Sequence, residues 1–320
     1  MRRRGRLLLG VEAVASFAVA LLAAAGCGAS SSPRQGLAPT LRREMTELVG
    51  AGVPGVVVLV RRDGRTLRLA SGEADLARKT PMRTSDRFRI GSITKTFVAT
   101  VVLQLVGEGE LSLDDTVERW LPGLVPNGER ITVRQLLGHR SGLFDYLDDP
   151  RVLRPYLHGD FGYVWTPRRL VAISASHPPL FPPGTGFSYS NTNYVLLGLV
   201  VEAATRRPIG LELDRLFGRL GLRATSFDTS PRIRGPHAHG YLVDGSWSDV
   251  SVLSPSPAWA AGAIVSTADD VASFYRALLG GHLLPPDLLR TMETTEDGHG
   301  LGLDSRLSGA LACGASATTA

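Results

Sequence analysis

Of the chain's 35 basic residues only Lys79 and Lys95 are lysines, so arginine is used almost wherever a positive charge suffices. Arginine cannot give up its proton in a protein, whereas a buried lysine can, so chemistry that needs a titratable cation keeps the lysine. Ser92 lies three residues before Lys95 at the start of an apolar run, which puts both side chains on one helix face a turn apart. The same helix start offers backbone N–H groups and a positive dipole end where negative charge on a carbonyl oxygen would form. The chemistry suggested is nucleophilic attack by a serine hydroxyl on a carbonyl. The plainer reading makes Ser92 an N-cap and Lys95 a solvated first-turn residue, and the Ser-x-x-Lys spacing alone is a weak signal.

A second cluster, Phe187-Ser188-Tyr189-Ser190-Asn191-Thr192-Asn193, opens another apolar run. The chain has three asparagines, and two of them stand here. A tyrosine beside a lysine ammonium can approach the phenolate form and act as base on a serine hydroxyl, while an asparagine amide can bond both the lysine and a substrate amide. Read plainly, the segment is a polar turn with Asn191 or Asn193 as helix N-cap.

Helices and strands must carry these groups. Leu41, Met45, Leu48 and Val49 fall at helical spacing and predict a first helix ending at Gly50. Gly55 to Val60, the Asp63-Gly64 turn and Thr66 to Ala70 predict a hairpin. A long apolar helix runs from Ser92 to about Val106. Further helices are expected at Val133 to Leu137, Tyr194 to Thr205, Leu211 to Leu220 and Asp269 to Leu279, and a weak strand at Leu301 to Leu303. Strands near both chain ends around a helical middle predict an α+β fold.

With 43% hydrophobic residues, 36 Gly and 20 Pro, the composition is that of a globular protein with a sizeable core. Four arginines against Glu12 near the N-terminus supply +3 of the net charge of +5, which argues for no nucleic-acid partner. The seven histidines form no ligand-spaced cluster beyond the pair His237 and His239, and no phosphate-cradling glycine motif appears, so neither metal nor cofactor is expected. Residues 1–26, arginines followed by the apolar stretch Ala13 to Ala25, have the layout of a secretory signal, short of the ~20 apolar residues of a membrane span. Ala24-Ala25-Gly26-Cys27 resembles a lipoprotein cleavage box, so Cys27 is expected to carry a lipid and residues 27–36 to tether an exported, membrane-anchored protein. Cys313 is then left without a partner in the chain.

The residues Phe88-Arg89-Ile90-Gly91-Ser92-Ile93-Thr94-Lys95, Ile131 to Leu137, His139, Ser141-Gly142-Leu143, Pro183-Gly184-Thr185, Tyr189-Ser190-Asn191 and Ala261 to Thr267 keep their order over about Leu41 to Gly314. The set resembles the class C beta-lactamase and D-alanyl-D-alanine carboxypeptidase family of penicillin-recognising serine hydrolases. The resemblance implies a beta-lactamase/transpeptidase-like fold, an antiparallel sheet flanked by helices plus a helical domain, acting as a monomer. It implies that Ser92 is acylated by a peptidoglycan stem peptide ending in D-Ala-D-Ala, a beta-lactam or an ester. Lys95 and Tyr189 would move its proton, with the choice of base left open, and Asn191 would orient the substrate amide. For a free substrate carboxylate, Arg306 is the nearest cation, against its plainer reading as a surface arginine.

The family's third element, His-x-Gly or Lys-Thr-Gly, is not found after the lead-in Gly300-Leu301-Gly302-Leu303. His299 precedes that lead-in and reads as a surface residue at the strand's start. The family's closing strand supplies a second oxyanion N–H, and loss of one such donor costs ~100- to 1,000-fold in rate. Residues 37–314 are therefore expected to form an incomplete hydrolase domain with its C-terminal strands missing and its hairpin edges open, and 315–320 an aberrant tail. An inactive homologue or a non-catalytic penicillin or peptidoglycan binder is the alternative. Arg140 also departs from the family's usual Thr.

Overall fold

Two apolar runs whose residues face inward all the way round become buried helices, and the rest of the fold packs about them. The computed structural model describes residues 36–243, 247–296 and 298–303. Along the chain lie α1 (Leu37–Gly50), β1 (Gly55–Arg62), β2 (Arg65–Asp75), β3 (Thr80–Pro81), β4 (Phe88–Arg89), α2 (Ile93–Gly107), α3 (Val117–Trp120) and α4 (Val133–Leu137). A 3-10 turn at Tyr146–Asp148 precedes α5 (Pro150–Leu157), α6 (Pro167–Ala175), α7 (Asn191–Thr205) and α8 (Ile209–Leu220). Then follow β5 (Ser226–Phe227), β6 (Tyr241–Val243), β7 (Trp247–Asp249), α9 (Trp259–Gly262), β8 (Ile264–Ser266), α10 (Ala268–Leu279) and α11 (Pro286–Glu293).

The predicted hairpin forms with Gly55 opposite Gly72 and Arg62 opposite Arg65. Asp63 and Gly64 both take positive φ, 49° and 72°, the two-residue turn whose twist matches the flanking strands. β3 extends this sheet on the β2 side, and β1 carries α10 through Asp269, whose carboxylate meets Arg61 at 3.1 Å and Arg68 at 2.7 Å. A second antiparallel sheet, β4-β8-β5, pairs Arg89 with Val265, and so ties the strand before Ser92 to the strand after α9. β6 and β7 form a third pair.

Gly198 lets α7 approach α9 closely. A Cβ at that position would lie 2.6 Å from Trp259 and 2.8 Å from Ala260, so no larger side chain fits without moving α9. The predicted helices all form, within a few residues of their expected ends. The expected strand at Leu301–Leu303 does not. Gly302 sits at φ +83° with its Cα against Ala99, and the chain turns back there, Gly300 N–H bonding Leu303 O at 2.7 Å. The turn docks on α2, where the Thr96 hydroxyl donates to Gly302 O at 2.9 Å. Among the described residues no helix is long and apolar enough to cross a membrane. Cys27, the leader, most of the tether, Arg306 and Cys313 lie outside the described residues.

Candidate active site

Ser92 stands at the N-cap position of α2 without capping it through its side chain, which leaves the hydroxyl for other partners. Its Oγ lies 2.7 Å from the Tyr189 hydroxyl and 3.0 Å from Lys95 Nζ. Among the described residues its backbone N–H finds no acceptor, which leaves it open to an incoming oxygen. Lys95 is buried at 4% exposure, and its three N–H groups meet three oxygens: Ser92 Oγ, Asn191 Oδ1 at 2.8 Å and Ala261 O at 2.8 Å. The Tyr189 ring flanks it, with Nζ 4.8 Å from the ring centre. The structure thus brings Ser92, Lys95, Tyr189 and Asn191 together.

The N-cap of α7 is Ser190 rather than either asparagine, and its side chain makes no capping bond. The capping group comes instead from Asp145, whose Oδ2 accepts from the Asn191 N–H at 3.0 Å and from the Asn191 carboxamide at 2.8 Å. A carboxylate at the positive end of a buried helix is well placed. Asn193 points away from the reacting atoms; its Oδ1 accepts from the Ser141 hydroxyl and its amide donates to His139 Nδ1 at 3.2 Å.

His139 supports the tyrosine from behind. Its ring stacks on that of Tyr189, 4.4 Å between centres, while its Nδ1 accepts from the Ser190 N–H at 3.2 Å and its carbonyl from the Ser188 N–H at 3.0 Å. These bonds hold the residue at φ +56°, a left-handed conformation costly for a histidine. Burial, then the Lys95 charge, holds the imidazole well below its ordinary range, so the folded protein keeps it neutral where the unfolded chain would protonate it. Because the unfolded state binds the extra proton, this contribution to stability is present above about pH 6.5 and is lost as pH falls, by up to about 1.4 kcal/mol per pH unit. Melting temperature measured from pH 7 to 5 is expected to fall less in His139→Gln than in the wild type; parallel curves would refute the assignment.

His299 does not stand free at the surface as expected. It is half-buried and stacks on Phe187 with 4.1 Å between ring centres. Arg140 also has a place: its guanidinium meets Glu296 at 2.8 Å, and its carbonyl accepts from the Gly184 N–H at 2.8 Å, so it ties the loop before α7 to the segment after α11. Sequence reasoning missed Asp145 and the Ala261 carbonyl. Among the described residues no cluster of three histidine, cysteine or carboxylate side chains is placed to hold a metal ion.

Comparison with known proteins converges on one group. A family profile described as Beta-lactamase matches residues 41–306. Esterase EstB of Burkholderia gladioli is 35% identical over 294 residues, covering 79% of this chain and 72% of the esterase. D-aminopeptidase of Brucella anthropi is 32% identical over 243 residues, 71% of this chain but only 45% of the aminopeptidase. The crystal structure of a D-stereospecific amidohydrolase from Streptomyces sp. superposes with a TM-score of 0.76 at 40% identity, covering 82% of each chain.

Proposed function

The chain belongs to the beta-lactamase family of serine hydrolases, and from that membership we propose that it cleaves amide and ester bonds of small D-configured acyl substrates through an ester on Ser92. The observation that carries the reading is the placement of the Ser92 hydroxyl between Tyr189, at 2.7 Å, and Lys95, at 3.0 Å. The three oxygens around Lys95 match the three N–H bonds of an ammonium, which leaves Tyr189 to take the serine proton as the phenolate that this ammonium stabilises. Ser92 Oγ then bonds the substrate carbonyl carbon, and the carbonyl electron pair moves onto its oxygen beside the Ser92 N–H. Collapse of that intermediate expels the amine or alcohol, which leaves with the proton held by Tyr189. Water, deprotonated by the same tyrosine, attacks the ester and frees the acid, returning the proton to Ser92.

The choice of substrate class draws on the relatives, an esterase, a D-aminopeptidase and a D-stereospecific amidohydrolase. D-Ala-D-Ala peptides and beta-lactams each offer the serine an amide carbonyl of the kind this chemistry opens, and stand within the proposal. The test assays the protein with p-nitrophenyl butyrate, D- and L-alanine p-nitroanilide and a chromogenic cephalosporin, and follows labelling by a fluorescent penicillin. Ester turnover, a preference for the D-anilide of about tenfold or more, and a penicillin adduct on Ser92 are expected. Equal rates on the two anilides would remove the D-configured class. An adduct that never releases, without turnover of any substrate, would establish a binder, and neither adduct nor turnover would end the hydrolase reading.

A further inference from the structure

Three donors converge on the carboxylate of Asp145, which is buried at 9% exposure. Its Oδ1 accepts from the Leu147 N–H at 3.0 Å and caps the 3-10 turn Tyr146–Asp148. Its Oδ2 accepts from the backbone and the carboxamide of Asn191. An asparagine amide can lie either way round, but Lys95 presents only donors and Asp145 only acceptors. With the Asn191 NH2 claimed by Asp145, its oxygen must face Lys95, as it does at 2.8 Å. Nothing in the catalytic chemistry itself demands a carboxylate at this place, and a cap alone would be served by serine.

We propose that Asp145 is a positioning residue of the proposed hydrolase, fixing the Asn191 carboxamide so that its oxygen holds Lys95 against Ser92. The inference rests on that functional reading for its kinetic consequences and on the geometry alone for the orientation. The charged and titratable groups around the unit are Lys95, Tyr189, His139 and Tyr194 on the Ser92 side, and Tyr146 and Asp148 on the Asp145 side.

Two substitutions separate positioning from capping. Asp145→Asn has the same shape but one acceptor oxygen, so either the Leu147 N–H or the Asn191 donors must face an NH2. Asp145→Ser keeps a hydroxyl able to cap the turn and is too short to reach Asn191. Both are expected to lower kcat by about 100-fold with a smaller change in KM, the size that a misplacement of about 1 Å produces. The serine variant is expected to melt close to the wild type. A wild-type kcat in Asp145→Ser would reduce Asp145 to a cap and overturn the proposal.

The chain's composition supplies a readout that does not depend on turnover. With two lysines, 13Cε-lysine NMR gives two resonances, assigned by Lys79→Arg, and with three asparagines the side-chain amide spectrum is equally sparse. The Lys95 resonance is expected to move in both variants while that of Lys79 stays, and the wild-type Asn191 NH2 to exchange slowly with solvent. An Asn191 amide that exchanges as fast as a solvated one would overturn the orientation even if neither variant folds. Absence of turnover in the wild type would count against the hydrolase reading, and the two NMR measurements would still judge Asp145.

Discussion

Ser92→Ala is expected to lower kcat/KM for the ester substrate by roughly 10^4- to 10^6-fold and to abolish the penicillin adduct, while the protein folds as before. The loss is large because Ser92 supplies the atom that bonds the substrate, and neither Lys95 nor Tyr189 can replace it from 3.0 and 2.7 Å behind it. Folding is spared because the Ser92 side chain caps nothing and is half-exposed; what disappears is a hydrogen bond each for Lys95 and Tyr189. The check is kinetics with mass spectrometry of the penicillin-treated protein. Activity within tenfold of the wild type, or an adduct on another residue, would remove Ser92 from the centre of the mechanism.

Lys95→Arg, a swap that the rest of this sequence treats as routine, is expected to cost roughly 10^2- to 10^4-fold in kcat. The ammonium sits among three oxygens drawn from different directions, and a planar guanidinium on a side chain of similar reach cannot match that arrangement in a site only 4% exposed. Lys79→Arg provides the control: Lys79 is exposed and takes no part in the cluster, so kinetics should be unchanged. Wild-type rates in Lys95→Arg would mean that any fixed positive charge serves there, and the need for an ammonium seated among the three oxygens would be withdrawn.

The parts of this arrangement that were legible in the sequence share a local cause. α2 and α7 are long and apolar on every side, the hairpin is marked by its Asp-Gly turn, and Ser92, Lys95, Tyr189 and Asn191 stand out as scarce or reactive types at the heads of those helices. The short strands β4, β5 and β8 have two or three residues each, and only their pairing across the chain makes them strands. α5 was hidden by Pro155 within it, although Asp149 and Pro150 form an ordinary helix start. The Ala261 carbonyl is an acceptor that every residue type possesses, so no side-chain code announces it. Asp145 looks like one of several aspartates in a surface turn until the fold brings it to Asn191, 46 residues later. His139 belonged to the family's pattern, but its support of Tyr189 depends on a left-handed backbone that the sequence does not advertise.

The partners of Lys95 stand 3, 96 and 166 residues away along the chain. The second and third of these close long loops, at an entropy cost that the local contacts of the helices and the hairpin do not carry. Until they close, the chain carries an ordinary serine and an ordinary solvated amine, with no reason to acylate or to hydrolyse anything. The hydroxyl is therefore placed for chemistry only where α7 and α9 dock on α2, and an unfolded copy of the protein is chemically silent.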